Sequence, residues 1–189
     1  MKRVIEYQNG KAIVMWNETP MTSDYQREWH CMERKTKTTE IAAAFEIGVE
    51  LEIHTGGRIC YGFLAARVRP HNEPGIVKIS IAFTSGNTVR YENSCLLNDS
   101  FVYKGLPKEY VTQVGESMAA AVEGERDYPQ CEILVDSSAN CEVGSSPVLF
   151  GIIAEMLVKL ICVASAEQVM EMGAEAFALE FADKLNLRV

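Results

Sequence analysis

The chain has 189 residues, 48% of them hydrophobic and 23% charged, and it carries a formal net charge of -8. This apolar fraction is enough to form a core, so the composition excludes a largely disordered chain. The acidic balance argues against a protein that coats nucleic acid, and no binding to double-stranded DNA is expected, because neutralising phosphates requires clustered lysine and arginine.

The first forty residues predict a hairpin and then a segment without a clear pattern. Asn9-Gly10 is a favoured hairpin turn, and it separates two strand-like stretches, Val4–Glu6 and Lys11–Trp16. The stretch Thr19–Thr39 is interpreted as a loop or a short helix. The first ten residues contain no apolar segment, so no signal peptide is predicted and a cytoplasmic location is expected.

A pair of strands joined by a glycine turn follows. Apolar and polar residues alternate from Ile47 to Ile53, which predicts a half-buried strand. Glu50 and Glu52 share one face of this strand, and they are interpreted as solvated carboxylates on an exposed face. Thr55–Arg58 is predicted to be the turn, and Ile59–Arg69 returns as the second strand.

The middle of the chain predicts two strands, a helix, a short strand and a loop, in that order. Alternation indicates a strand at Ile76–Phe83, and Thr88–Leu97 is predicted as the strand that follows the turn Ser85-Gly86-Asn87. A helix is predicted from Pro107 to Val122, because proline is favoured at the first helical position and apolar residues then line one face. Cys131–Val135 is predicted as a short strand and Ser137–Gly144 as a loop.

Two helices complete the predicted order. Pro147–Val163 is apolar nearly all round, apart from Glu155 and Lys159, which stand in the favourable i, i+4 order and argue against a membrane span. Ala166–Leu185 is predicted as an amphipathic helix. This order indicates one α+β domain, residues 1–189, in which helices cover one face of a mostly antiparallel sheet.

The sequence contains no recognisable catalytic or metal-binding motif. His54 and Cys60 flank one turn, but two ligands do not make a zinc site. No CxxC spacing occurs, so we expect reduced thiols, no disulfide and no metal or other cofactor. The thiols concerned are the six cysteines Cys31, Cys60, Cys95, Cys131, Cys141 and Cys162.

Two short segments have a composition suited to binding phosphate. Arg58, Arg67 and Arg69 form a basic cluster without an intervening acidic residue, and Arg58 lies beside two glycines that let a partner approach closely. Gly144-Ser145-Ser146 precedes the apolar helix and has two interpretations. It is either a helix cap or an anion-binding helix start.

Several segments together resemble domain IV of translation elongation factor G, and one is closer to the related ribosomal-protection tetracycline-resistance factors. The similarity lies in their order and spacing across residues 47–163, whereas residues 1–46 and 164–189 are extensions without a match. The segments are Gly56-Gly57-Arg58-Ile59-Cys60-Tyr61-Gly62, the Pro/Gly loop 70–75, Gly105-Leu106-Pro107-Lys108-Glu109-Tyr110, Tyr128-Pro129, Glu142-Val143-Gly144-Ser145-Ser146 and, for the resistance factors, Tyr91-Glu92-Asn93-Ser94.

The resemblance implies a particular fold. It is a four-stranded, mostly antiparallel sheet with two helices on one face, arranged as a ribosomal-protein-like two-layer sandwich. It includes a left-handed βαβ crossover, which physical rules alone would not predict. The chain departs from the family in having no GTPase motif, and Cys141 stands where the translocating factors carry a histidine.

The resemblance also implies a function. The chain would be a non-catalytic, translation-factor-like module that binds the ribosome or a translation GTPase through two adjacent loops, 55–61 and 137–144. The alternative is a phosphate-ligand-binding protein or small-molecule enzyme that uses Gly144–Ser146. The oligomeric state stays open. The expected binding residues, with no catalytic or metal-binding residue among them, are Gly56, Gly57, Arg58, Tyr61, Asn140 and Cys141.

Overall fold

A computed structural model describes residues 2–7, 9–20, 27–36, 41, 43–86, 89–94 and 101–165. Its strands, numbered in chain order, are β1 Lys2–Tyr7, β2 Gly10–Trp16, β3 Glu28–Lys35, β4 Phe45–Thr55, β5 Arg58–Pro70, β6 Ile76–Phe83, β7 Val102–Lys104 and β8 Cys131–Cys141. Its helices are α1 Val111–Gly124, preceded by a single 3-10 turn at Lys108–Tyr110, and α2 Pro147–Ser165.

All eight strands belong to one mixed sheet. Its order is β1-β2-β4-β5-β8-β6-β3, and β7 pairs with the end of β8. Neighbouring strands are antiparallel except β6 and β8, which run parallel and are connected through a segment that contains α1. A parallel pair needs such a crossover because the chain must return to the same end of the sheet.

The expected four-stranded sheet with helices on one face is therefore wrong. The described residues form an eight-stranded sheet with two helices. Three of the extra strands, β1, β2 and β3, come from the region before residue 46, which the resemblance leaves as an unmatched extension, and the fourth is the short strand β7. The β1–β2 hairpin adds to the sheet through β4, and β3 pairs with β6 along eight residue pairs.

The strands predicted from strong alternation are present, whereas the weakly patterned ones differ. The first hairpin, β4, β5 and β6 are confirmed. Within Thr19–Thr39 a strand forms instead of a loop or helix. Of the predicted strand Thr88–Leu97 the structure describes residues 89–94, where Arg90 forms an isolated bridge to Tyr103, whereas Thr88 and residues 95–97 lie outside the described part. The predicted helix Ala166–Leu185 also lies outside it.

The main core lies between the sheet and the two helices. α2 contacts β4 and β5 as well as α1. Phe150, Ile153 and Leu157 are fully buried along α2, and Glu155 pairs with Lys159 at 2.7 Å on its outer side. The helix is thus held by apolar burial on one side and by a surface ion pair on the other. In the described part of the chain, neither helix has the length and apolar character needed to cross a membrane.

A second, smaller apolar cluster lies on the opposite face of the sheet. Tyr61 and Phe63 alternate along β5 with residues of the main core, and Tyr91 stacks on Phe63 with ring centroids 5.6 Å apart. Val102 on β7, Ala139 on β8, and Ile13 and Met15 on β2 belong to the same cluster. Both faces of β4 and β5 are therefore covered in this region. A half-buried strand would expose one face to solvent, so the prediction of a half-buried strand at Ile47–Ile53 is wrong.

Replacing Leu157 by alanine tests the main core. Leu157 is fully buried in α2, so Leu157→Ala should lower the free energy of unfolding by about 2–5 kcal/mol through lost burial and a residual cavity. Urea unfolding measures this change. Val148→Ala is the control, because Val148 lies in the same helix with 67% of its surface exposed. Equal losses for the two variants would contradict the packing described.

Candidate functional site at the tip of the sheet

The β4–β5 turn forms one end of the molecule. Gly56 and Gly57 both have positive φ, 57° and 79°, which the two central residues of a type I′ hairpin turn require. No atom lies within 4 Å of a Cβ built on either glycine. Arg58 begins β5 beside them and is exposed, and its guanidinium has no hydrogen-bond or ion-pair partner among the described residues. The turn therefore presents an open backbone and an available cation.

A second turn, residues 142–144, is fixed beside the first by specific hydrogen bonds. The Ser145 hydroxyl donates to the carbonyl oxygen of Tyr61 at 2.6 Å and accepts from the Cys141 N–H at 2.7 Å. The Tyr61 N–H donates to the Gly144 oxygen at 3.1 Å. A Cβ on Gly144 would lie 2.3 Å from the Ile59 oxygen, so only glycine permits this approach.

Exposed apolar side chains surround the two turns. Ile59, Phe101 and Val143 are 37%, 57% and 88% exposed. They line a groove of about 330 Å³ together with Arg58. The Arg90 guanidinium lies 5.8 Å from the centre of the Phe101 ring. Clustered exposed apolar residues are typical of interaction sites. We name this group, Gly56, Gly57, Arg58, Ile59, Phe101 and Val143, the tip surface.

The structure places the sequence-derived candidates at different depths. Gly56, Gly57 and Arg58 lie on the tip surface, and Cys141 is largely buried but lines the groove. Tyr61 and Asn140 are not brought to the surface. Tyr61 is fully buried, and the Asn140 side-chain amide donates to the Gly105 oxygen at 2.8 Å from a buried position. Ser137–Gly144, predicted to be a loop, continues β8 as far as Cys141 and only then turns.

Glu50 and Glu52 are buried, which corrects their interpretation as solvated carboxylates. Glu50 is 1% exposed, and its Oε1 accepts a hydrogen bond from the Tyr61 hydroxyl at 2.7 Å. Glu52 lies 3.4 Å from Lys11 Nζ and 2.6 Å from His54 Nε2. The second apolar cluster covers this face of β4, so both carboxylates need partners within the protein.

The buried environment changes the acidity of Tyr61. Burial, and then the nearby Glu50 carboxylate, raise the pKa of the Tyr61 phenol far above its usual value, while a hydrogen bond from Ser94 opposes the shift. The phenol therefore stays protonated and keeps donating to Glu50. The role of this pair is structural, because it lies beneath the tip and not in the groove.

The serines before α2 act within the fold. Ser146 Oγ accepts from the Leu149 N–H at 3.2 Å, as an N-cap residue does, and Ser145 Oγ bridges two strands. Ser146 therefore caps the helix, and both serine hydroxyls are engaged in hydrogen bonds within the fold. This arrangement supports the cap interpretation of the segment over the anion-binding one.

The three arginines of the predicted basic cluster do not lie together. Arg67 pairs with the buried Asp136 carboxylate. Arg69 is exposed near the other end of β5, eleven residues from Arg58, or about 36 Å along the strand. Arg58 is thus the member of the cluster that reaches the tip. Within the described residues no group of three or more histidine, cysteine or acidic side chains could hold a metal ion.

Comparisons with known proteins identify no family. No protein-family model matches the chain, and no curated protein matches it either. The chain is similar to a crystal structure of a protein from Thermus thermophilus, with 20% identity and a TM-score of 0.45. The match covers 70% of this chain and 17% of that one, so this chain spans a small part of the matched protein's length. Similarity at this level carries no argument about function.

The buried phenol predicts a specific loss of stability at alkaline pH. An unfolded tyrosine ionises near its ordinary value of 10.0, whereas folded Tyr61 holds its proton, so folding stability should fall as the pH rises above that value. Each such group contributes about 1.4 kcal/mol per pH unit to the slope. Tyr61→Phe should remove one such contribution to the slope. Tyr128 should keep its contribution in both proteins, because burial raises the pKa of that phenol as well.

Urea unfolding of the wild type and Tyr61→Phe between about pH 8 and 11.5 measures this slope. At the neutral end, Tyr61→Phe should be less stable by about 1–3 kcal/mol, because Glu50 loses a hydrogen-bond donor. The two stability curves should then converge above about pH 10. Curves that stay parallel throughout would show that Tyr61 ionises in the folded protein.

Proposed function

We propose that this chain is a non-catalytic, translation-factor-like module of the cytoplasm that binds the ribosome through its tip surface. The single observation that carries the proposal is the juxtaposition at the tip. The available Arg58 guanidinium lies on a Gly-Gly turn, and it lines the same groove as exposed Ile59, Phe101 and Val143. The sequence resemblance to domain IV of elongation factor G supports the choice of partner.

The chemistry of the tip suits contact with RNA. An arginine can make two parallel hydrogen bonds to a phosphate, and the two glycines leave space for a backbone to approach. The exposed Phe101 ring, with the Arg90 guanidinium over it, adds an aromatic surface and a second cation of the kind that contact nucleic-acid bases. These groups bind a partner by charge, stacking and shape, which is the behaviour expected of a module that acts by occupying a site.

The tip is held in a fixed position, which favours recognition. The Ser145 hydroxyl joins β5 to β8, and Gly144 packs directly on the Ile59 backbone. Ordering the two turns therefore takes place during folding and not on binding, so less conformational entropy is lost when the partner arrives.

Co-sedimentation with salt-washed ribosomes, at low and at high salt, tests the proposal. The wild type should pellet with ribosomes at low salt and dissociate as salt rises, because counterions compete with Arg58 for phosphate. Arg58→Ala should weaken association and reduce the dependence of log affinity on log salt by about one unit. Washing removes bound translation factors, so the experiment separates the ribosome from a translation GTPase as the partner.

Arg69→Ala is the matched control for this experiment. It removes the same charge from the same strand, but from an exposed position near the end opposite to the tip. It should leave ribosome association nearly unchanged, and both variants should keep the wild-type thermal stability. The proposal falls if the wild type fails to associate at low salt or if the two variants behave alike.

A further inference from the structure

Strand β1 lies at one end of the sheet and offers a pairing edge. In the described part of the chain it pairs with β2 and with no other strand. Every second residue of an end strand turns its backbone N–H and C=O away from the sheet, where they form a template for another strand.

The side chains on β1 form a self-complementary pattern. Lys2, Val4 and Glu6 share one face because side chains alternate along a strand. All three are exposed, and Val4 is 56% exposed in spite of being apolar. A cation and an anion thus lie at equal distances on either side of an apolar residue.

Symmetry determines how this edge can pair with its own copy. Two identical antiparallel strands related by a two-fold axis perpendicular to the sheet must place one residue opposite itself, because opposed side chains lie on the same face. With Val4 opposite Val4 of the second copy, Lys2 lies opposite Glu6 of that copy, and the reverse pair forms as well. Both charge pairs are attractive, and the exposed valines cover each other.

The neighbouring strands continue the same pattern of charges. Glu6 lies opposite Lys11 on β2, and Lys11 lies opposite Glu52 on β4. Lys11 Nζ is 3.4 Å from Glu52 Oε2. Lys2 of a second copy would extend this row to four side chains of alternating sign across the interface. Opposite charges placed directly across strands stabilise pairing.

The two neighbouring symmetric registers are less favourable. Centring the pair on Ile5 would place Val4 opposite Glu6, and centring it on Arg3 would place two arginines opposite each other, so neither register forms these ion pairs. Charged residues on an end strand often prevent association, but at the Val4 register these charges attract each other. The side-chain pattern therefore selects one register.

We propose that β1 pairs antiparallel with β1 of a second copy of this chain, centred on Val4, so that one sheet continues through both copies. The added strand is short, so the dimer is weak and forms as concentration rises. Because the strands are antiparallel, the two tip surfaces point to opposite ends of the dimer and both remain accessible.

Sedimentation velocity with paired charge reversals tests the proposal. Lys2→Glu places like charges opposite each other at both ends of the pair, and so does Glu6→Lys. Each variant alone should dimerise at least about tenfold more weakly than the wild type. An equimolar mixture should form a heterodimer that is stronger than either variant's homodimer, because each negative position of one variant then faces a positive position of the other. It should stay weaker than the wild-type dimer, because Glu6→Lys places a cation opposite Lys11 of its own copy.

Arg69→Glu is the control for Lys2→Glu, since it makes the same change in net charge at an exposed position on an internal strand. It should leave dimerisation unchanged. Recovery in the mixture also shows that both variants are folded, because a misfolded strand could not restore pairing. The proposal is overturned if the wild type stays monomeric over a hundredfold range of concentration or if the reversals have no effect. It is equally overturned if mixing restores nothing.

Discussion

Strand β8 holds the sheet together, because three other strands pair with it. Its first half lies between β5 and the parallel strand β6, and its second half lies between β5 and β7. The register of the β5–β8 pair shifts between Ala65 and Ala66. Asp136 lies opposite this irregularity and pairs with Arg67. Without β8, the ladder of β1, β2, β4 and β5 would share no strand pairing with β3 and β6, so the sheet would divide.

The same strand shows how far sequence reasoning reaches. Alternation was sufficient for β4 and β6, where apolar residues recur at every second position, and the glycine turn was sufficient for β5, the strand that returns from it. It failed in β8 because Ser137, Ser138 and Asn140 have the composition of a loop, although they are buried within the strand. Their polar groups are accommodated by partners distant in sequence, as Asn140 is by the Gly105 carbonyl. A local pattern cannot contain that information.

The functional site was predictable to a similar extent. A Gly-Gly turn followed by arginine is a local signal, and it correctly located Gly56, Gly57 and Arg58 at a hairpin end. Phe101 and Val143 were missed because an apolar residue gives the same local signal whether it is buried or exposed. Their position depends on β7 pairing with the end of β8, which brings residue 101 beside the 142–144 turn. Tyr61 is near the tip in sequence, but strand alternation directs it towards Glu50.

The acidic character of the chain is compatible with a cationic tip. At about 0.1 M salt, charges separated by more than about 10 Å are largely screened in solvent. A partner at the tip therefore responds to Arg58 and its near neighbours more than to the net charge of -8. Two carboxylates that would otherwise lie close to the tip, Glu50 and Glu52, are buried and paired with Tyr61, Lys11 and His54. Lys11 offsets the charge of Glu52, whereas the exposed Glu142 in the second turn places one carboxylate beside Val143. Arg58 therefore attracts a polyanion at close range, and Glu142 opposes part of that attraction.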